Sequence, residues 1–158
     1  FPSSSQKKEL IRLLAHHPVP GTGKTVLVHG DLHPSHVIVN PSAGWLGFID
    51  FEAMHAGRPA TDFVSLWAGF HYADPLLGLE FYRRYVERFS DLLDDRFDSD
   101  AKGELALRSH SHINVGRRTG NRELEARARR LLGSVLSGAS FEQLVSSRGW
   151  HESPTSVH

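Results

Sequence analysis

The sequence predicts an α+β fold that is mainly α-helical and contains a small β-hairpin. Short β-branched runs separated by turn formers lie between residues 26 and 50, and apolar residues at helical spacing dominate after residue 60. The chain has 158 residues, 39% of them apolar, which is enough to bury one hydrophobic core. We therefore expect one domain over residues 1–148 and a disordered tail over 149–158, where the sequence has no apolar periodicity.

The first predicted element is an amphipathic helix, which Ser5 can cap. Its apolar residues are Leu10, Ile11, Leu13 and Leu14. A loop is predicted from Pro18 to Thr25, although Gly23-Lys24-Thr25 matches the end of a phosphate-binding P-loop. Pro18 occupies the position of the first glycine of that motif, and the segment precedes a strand instead of opening a helix, which argues against a P-loop.

Three short strands are predicted next. The first is the apolar run Val26–Val28, which ends at His29-Gly30, where glycine permits a tight change of direction. The second covers Val37–Val39 and the third covers Trp45–Ile49. Because the turn formers of Asn40–Gly44 separate these two runs, we expect them to form the hairpin.

Three side chains around these strands have the chemistry of phosphoryl transfer. Asp31 follows the first strand, His36 precedes the second, and Asp50 follows the third, so the hairpin would return Asp50 to the loop that carries the other two. Phosphoryl transfer needs a carboxylate that orients and deprotonates the acceptor hydroxyl, and ligands for a divalent cation on the nucleotide phosphates. Asp31 and Asp50 suit these two roles, whereas a turn aspartate and a strand-end aspartate are the structural alternatives.

Four longer helices and a short last turn are predicted for the rest of the chain. The first helix begins at Thr61-Asp62, the second at Asp74-Pro75 with proline at the first helical position, and the third at Ser99-Asp100. A fourth helix covers Leu124 to Val135, and residues 141–145 form the last turn. A mostly helical region of this kind suits a lobe that positions an acceptor molecule.

The segment from His29 to Asp62, with its motifs HGDLHPSH, IDFE and GRPATDF, resembles the aminoglycoside phosphotransferase family of small-molecule kinases. The remainder of the chain is similar to that family only in its helical character. The resemblance implies the C-terminal lobe of the protein-kinase-like fold, in which the hairpin carries the catalytic loop. It also implies that Asp31 is the catalytic base, that Asp50 binds Mg²⁺, and that ATP or GTP donates the phosphoryl group.

The residue five positions after the base is usually an asparagine in that family, and here it is His36. Because imidazole is a softer donor than an amide oxygen and Mg²⁺ prefers oxygen, several roles stay open for this candidate metal ligand. His36 could bind the metal weakly, bind it through water, contact phosphate, or serve only the structure. With histidine at this position, the chain resembles the macrolide kinases and the aminoglycoside kinases that act on the 2″ hydroxyl.

Three further residues are predicted to support the site. The resemblance implies that His29 braces the catalytic loop and that Asp62 hydrogen-bonds to it from the start of a helix. Glu52 lies two residues after Asp50 and could support the site as well. Simple solvent exposure is the equal alternative for Glu52.

A kinase of this class also needs a glycine-rich loop over the phosphates and a lysine, paired with a helix glutamate, that reaches the nucleotide. No such segment lies between Phe1 and the first predicted strand. We therefore expect the nucleotide-binding lysine in an N-terminal lobe outside this sequence. The isolated C-terminal lobe should then bind nucleotide poorly and be inactive.

The acceptor is expected to be a hydroxyl of a small molecule, with macrolide and aminoglycoside antibiotics as the candidates. Acidic residues predominate between Asp74 and Glu104 and would attract a polycationic aminoglycoside; they include Asp91, Asp94, Asp95, Asp98 and Asp100. An apolar groove lined by Trp67, Phe70 and Tyr72 would suit a macrolide ring. Solvated helix faces and core aromatics are the ordinary alternatives for these residues.

Composition argues against several other classes of protein. The balance of 18 basic and 18 acidic residues gives no electrostatic basis for nucleic-acid binding. The absence of cysteine excludes disulfides and thiolate zinc sites. Because the sequence has neither a membrane-spanning apolar stretch nor a signal-peptide pattern, a soluble cytoplasmic protein is predicted.

Two alternative functions stay open at this level. A metal hydrolase could use His29, His33 and His36 with the two aspartates as a zinc or manganese site, although Pro34 breaks any helix that would align His29 with His33. A non-catalytic kinase remnant would only bind a ligand or a partner. The presence of both Asp31 and Asp50 argues that the complete protein is not such a non-catalytic remnant.

Overall fold

The computed structural model describes residues 23–146 except for the side chain of Leu92, together with Lys8 and Ile11. Lys8 and Ile11 are helical. The rest of the predicted first helix lies outside the described residues, and so does the predicted disordered tail at 149–158.

The described residues form an α+β fold, as the sequence predicts, with four short strands followed by five α-helices. Strand β1 (Val26–Val28) pairs antiparallel with β4 (His55–Gly57). Strand β2 (Val37–Asn40) pairs antiparallel with β3 (Trp45–Phe48). Short 3₁₀ helices cover Pro34–His36, Phe51–Ala53 and Ser90–Leu92.

The predicted hairpin is confirmed, but the sheet around it differs from the sequence prediction. Val37 lies opposite Phe48 and Asn40 lies opposite Trp45, so β2 and β3 pair along their whole length. Strand β1 pairs instead with β4, which the sequence analysis did not predict. His55–Gly57 contains no β-branched residue, so its pairing depends on a partner distant in sequence.

The predicted helices of the described region are all present. They are α1 (Pro59–Ala73), α2 (Pro75–Arg88), α3 (Phe97–Thr119), α4 (Arg122–Val135) and α5 (Phe141–Ser146). Helix α1 begins two residues before Thr61, because Pro59 fits the first helical turn, and α3 likewise begins two residues before Ser99. Asp74 caps α2 as predicted, accepting a hydrogen bond of 2.9 Å from the amide of Leu76.

The hydrophobic core lies among the helices. It includes Phe63 and Trp67 of α1, Leu105 of α3, Leu131 of α4 and Phe141 of α5, each at most 2% exposed. The rings of Phe63 and Phe141 are 5.6 Å apart, which joins the first helix to the last. None of the described helices is both long enough and apolar enough to cross a bilayer.

The aromatic groove expected for a macrolide is not formed by the residues proposed for it. Trp67 is fully buried, with its ring 5.1 Å from that of Phe141. Phe70 packs its ring against α2. The Tyr72 ring lies 5.0 Å from that of His112, and burial raises the pKa of Tyr72 to about 12. These three aromatic side chains therefore belong to helix packing.

A buried ion cluster joins the entry of β1 to the starts of α1 and α3. The guanidinium of Arg58, which is only 4% exposed, donates to both carboxylate oxygens of Asp94 at 2.8 Å and to Asp100 at 2.6 Å. It also donates to the carbonyl of Lys24, whose amide donates to Asp94 at 3.0 Å. Segments more than 30 residues apart are thus held at one point.

This cluster corrects the expectation of an acidic surface for two of its residues, whereas Asp91 and Asp95 are exposed. Asp94 and Asp100 contact Arg58 and do not present free charge to solvent. Burial opposes ionisation of Asp94, but hydrogen bonds from Arg58 and from the amide of Lys24 hold its pKa below the ordinary value. Two of the acidic groups proposed to attract an aminoglycoside are therefore neutralised internally.

Candidate active site

The candidate site lies where the loop after β1 meets the turn after β3. Gly30 has a φ of +83°, and a side chain at this position would lie 2.3 Å from the carbonyl oxygen of Ala53. Only glycine therefore lets the two segments approach so closely. This contact places the loop that carries Asp31 against the 3₁₀ helix that follows Asp50.

Asp62 fixes the same loop from the first turn of α1. Its carboxylate accepts hydrogen bonds from the amide of His29 at 2.6 Å and from the amide of Gly30 at 3.0 Å. Two consecutive backbone amides are thus held by one side chain. The position of Asp31 in the loop is consequently set by a helix that belongs to the hydrophobic core.

His29 links the ends of two strands. Its side chain is buried, and Nε2 donates to the carbonyl of Ile49 at 2.8 Å. The imidazole also packs against Phe51, with ring centroids 4.9 Å apart. Because Ile49 immediately precedes Asp50, this contact holds the two aspartate-bearing segments together.

Asp31, His36 and Asp50 converge in the structure. His36 Nδ1 donates to the backbone carbonyl of Asp31 at 2.9 Å, which places the proton of a neutral ring on that nitrogen. The free lone pair is then on Nε2, which lies 3.5 Å from Asp50 Oδ2. His36 is largely buried, whereas about half of the Asp31 and Asp50 side chains is exposed. An exposed ligand can therefore reach both carboxylates.

Asp50 adopts an unusual backbone conformation. Among the described residues it is the one non-glycine residue with positive φ, at φ 67° and ψ 61°. Aspartate enters this left-handed region more readily than most residues, but it still does so at some cost, and such conformations cluster at functional sites. The conformation ends the third strand segment and starts the turn Phe51–Ala53.

Glu52 differs from His29 and Asp62, the other predicted supporting residues, in its contacts. It lies in the 3₁₀ helix after Asp50 and is exposed. Within the described part of the chain, no hydrogen bond or ion pair joins Glu52 to another residue. Glu52 therefore lies at the surface of the described region, and its supporting role stays a prediction.

One contact that holds the turn before His36 was not predicted from the sequence. Pro34 packs on the middle of α1 at Gly69, where a Cβ atom would lie 2.3 Å from Pro34 Cδ. The Pro34–His36 turn is therefore fixed against a core helix. A glycine inside a predicted helix was the available signal, since such a glycine often marks a close approach.

The donor set of the site fits a divalent cation. Asp50 supplies an oxygen ligand, and the neutral form of His36 supplies an imidazole nitrogen, Nε2, with a free lone pair. Mg²⁺ takes oxygen ligands and retains several waters, so Asp50 suits direct binding to it. His36 Nε2 suits either direct binding or acceptance of a hydrogen bond from a metal-bound water.

One comparison with known proteins identifies a family. A model of the phosphotransferase enzyme family, APH, matches residues 5–99, which include every candidate site residue. The uncharacterized protein YcbJ of Bacillus subtilis (strain 168) is 33% identical over 101 residues, covering 59% of this chain and 33% of that protein. The chain thus spans about a third of the length of this curated relative. No solved structure matches the chain significantly.

Proposed function

The chain belongs to the phosphotransferase enzyme family, and on that premise we propose that it is the C-terminal lobe of a kinase that phosphorylates a hydroxyl of a small molecule. The observation that carries this proposal is the approach of His36 Nε2 to Asp50 Oδ2 beside the loop of Asp31. A base and a cation site must lie together for phosphoryl transfer, and these residues supply both.

Asp31 acts as the general base in the proposed reaction. The acceptor oxygen forms a bond to the γ-phosphorus of ATP or GTP, and the bond from that phosphorus to the βγ-bridging oxygen breaks. The nucleoside diphosphate leaves with the electron pair, and the hydroxyl proton moves to the Asp31 carboxylate. Exposure of this carboxylate supports the role, because an acceptor from solvent can reach it.

Asp50 and His36 hold the magnesium nucleotide. Asp50 would bind Mg²⁺ through a carboxylate oxygen, and His36 would contact the ion, its water or a phosphate oxygen through Nε2. Bound Mg²⁺ would neutralise charge that develops on the phosphate oxygens. Asp62 and His29 act as positioning residues, because they fix the loops that carry Asp31 and Asp50.

An N-terminal lobe completes the nucleotide site and supplies the binding lysine. The β-strands and the following turn expose large apolar side chains, which are Leu27, Ile38, Val39, Trp45, Leu46, Phe48, Ile49, Phe51 and Met54. Apolar patches of this kind are usually covered by a partner surface or a ligand. The greater length of the curated relative, of which this chain covers 33%, supports the same proposal.

The proposed acceptor is an antibiotic of the macrolide or aminoglycoside class. The support for this acceptor class is His36, because the kinases that act on those compounds resemble this chain in having histidine at that position. The expected aromatic groove gives no further support, because Trp67 is buried in the core. The expected acidic surface is smaller than the sequence suggests, because Asp94 and Asp100 contact Arg58. A cytoplasmic location is also proposed, because the nucleotide donors are intracellular.

A product assay tests the proposed function. The complete protein, meaning this chain with its proposed N-terminal lobe, is incubated with Mg²⁺ and either ATP or GTP. Macrolides, aminoglycosides and simple amino alcohols serve as acceptors, and phosphorylated products are detected by mass. We expect one acceptor class to gain a phosphoryl group on a hydroxyl. A protein that binds magnesium nucleotide, as judged by thermal stability, but phosphorylates none of these acceptors would favour a non-catalytic module.

A further inference from the structure

A second set of metal donors converges on Asp31. One ligand atom from each of Asp31, His33 and His36 lies within 4.8 Å of those of the other two. This set differs from the His36 and Asp50 pair, because it contains two imidazoles and the carboxylate of the proposed base. Two nitrogens and one oxygen suit Zn²⁺ better than Mg²⁺, which prefers oxygen ligands alone.

Both imidazoles are held in an orientation that suits metal binding. His36 Nδ1 donates to the carbonyl of Asp31 at 2.9 Å, and Ser35 Oγ lies 2.7 Å from His33 Nδ1, where it can accept the ring proton. A proton on Nδ1 leaves the lone pair on Nε2. Metal-binding histidines are usually fixed in this way, with the other ring nitrogen hydrogen-bonded to a neighbouring oxygen.

The distances allow closure around one ion. His33 Nε2 lies 4.0 Å from Asp31 Oδ2, and the rings of His33 and His36 have centroids 3.7 Å apart. Ligand atoms around tetrahedral Zn²⁺ are separated by about 3.3 Å, so each must move by roughly 1 Å. The side chains of Asp31 and His33 are 54% and 38% exposed, which leaves them free to make that movement.

We propose that Asp31, His33 and His36 bind one Zn²⁺ ion and that this ion inhibits phosphoryl transfer. The inhibition rests on the proposed function. A carboxylate oxygen of Asp31 that binds Zn²⁺ cannot accept the proton of the acceptor hydroxyl, and His36 is drawn away from Asp50. The three ligands lie within six residues of one loop. One zinc ion would therefore both occupy the Asp31 carboxylate and move His36 away from Asp50.

Zinc binding is tested first, because it does not depend on catalysis. The complete protein is titrated with Zn²⁺ in competition with a chromophoric chelator, and His33→Gln is compared with the wild type. We expect the variant to lose affinity by at least about tenfold. His55→Gln is the matched control, since His55 is also an exposed histidine near the site but bonds to the carbonyl of Ala53. An equal loss in both variants, or no loss in either, would overturn the site.

Inhibition is tested second, in the phosphotransferase assay at fixed magnesium nucleotide. His33 has no part in the proposed reaction, so His33→Gln should keep the metal-free activity while needing at least about tenfold more Zn²⁺ for the same inhibition. Equal zinc sensitivity in the two proteins would overturn the inhibitory role. If no acceptor is phosphorylated by either protein but the binding difference is present, the zinc site stands and the kinase proposal fails.

Discussion

The helical region and the β-loop region of this molecule are held together by different forces. In the helices, Phe63, Trp67 and Phe141 are almost completely buried and contact one another through their rings. In the β-strands, Leu27 is 72% exposed and Leu46 is 55% exposed. Val28 of β1 is buried, but most of the large apolar side chains of the strands are exposed, so the strands gain less from apolar burial than the helices do.

Polar contacts and backbone geometry replace the core in the β-loop region. Asp62 binds two loop amides, His29 bonds to the end of the third strand segment, and Gly30 lets two loops touch. The difference indicates that the helices supply the free energy of folding, whereas the loops supply the positions of the reacting groups. Substitutions in the two regions should therefore separate stability from activity.

Core truncation should give the largest change in stability. Phe63→Ala removes a ring from the centre of the helical core and should lower the free energy of unfolding by about 3–5 kcal/mol. Leu46→Ala, at an exposed position of β3, should change it by less than about 0.5 kcal/mol. Chemical denaturation of both variants checks this, and equal losses would contradict the division into two regions.

Replacement of Asp50 should affect activity far more than stability. Asp50→Gly removes the proposed metal ligand and should lower kcat by about 100-fold or more. Glycine adopts the observed φ of 67° without strain, so the free energy of unfolding should change by no more than about 1 kcal/mol. Steady-state kinetics and denaturation are measured on the same preparation. A large loss of stability with normal kcat would reverse the assignment.

A change at the contact between the two regions should give an intermediate effect. Gly69→Ala forces Pro34 away from α1 and should lower kcat by roughly tenfold or more, because small displacements of catalytic groups are costly. Gly133→Ala is the matched control in α4, where an added Cβ contacts nothing, and should stabilise the protein by about 0.5–1 kcal/mol. Unchanged activity in Gly69→Ala would show that the Pro34 contact does not position His36.

The smallest effect should come from the pH dependence of the ion cluster. The pKa of Asp94 is lowered in the folded protein, so its contribution is present above the ordinary value of 3.8 and is lost as pH falls through the lowered value. Asp94→Asn should therefore reduce stability at neutral pH, and its stability should approach that of the wild type in acid. Asp95→Asn, at an exposed position, serves as the control. Curves that stay parallel at every pH would contradict this role of Asp94.

Local sequence patterns were sufficient for the helices and for the convergence of the proposed reacting groups. Asp74-Pro75 marks the start of α2, and the hairpin of β2 and β3 returns Asp50 to the loop of Asp31 and His36. These features depend on neighbouring residues, which is why one sequence predicts them.

Contacts between distant segments could not be predicted in this way. Arg58 binds Asp94 and Asp100, which are 36 and 42 residues away, and no local pattern indicates that pairing. The pairing of β1 with β4 and the packing of Pro34 on Gly69 also join residues that are distant in sequence. Trp67 is a core residue, which was one of the two alternatives left open by the sequence, because apolar spacing does not distinguish a pocket from a core.

The central claim, that Asp31 is the base for transfer to a hydroxyl, is tested most directly by Asp31→Ala in the complete protein. We expect kcat to fall by about 10²–10⁴-fold with nearly unchanged nucleotide affinity, because the carboxylate acts on the acceptor proton and not on the nucleotide. Glu52→Ala, a nearby exposed carboxylate without described contacts, should keep its turnover. Turnover retained in Asp31→Ala would contradict the claim.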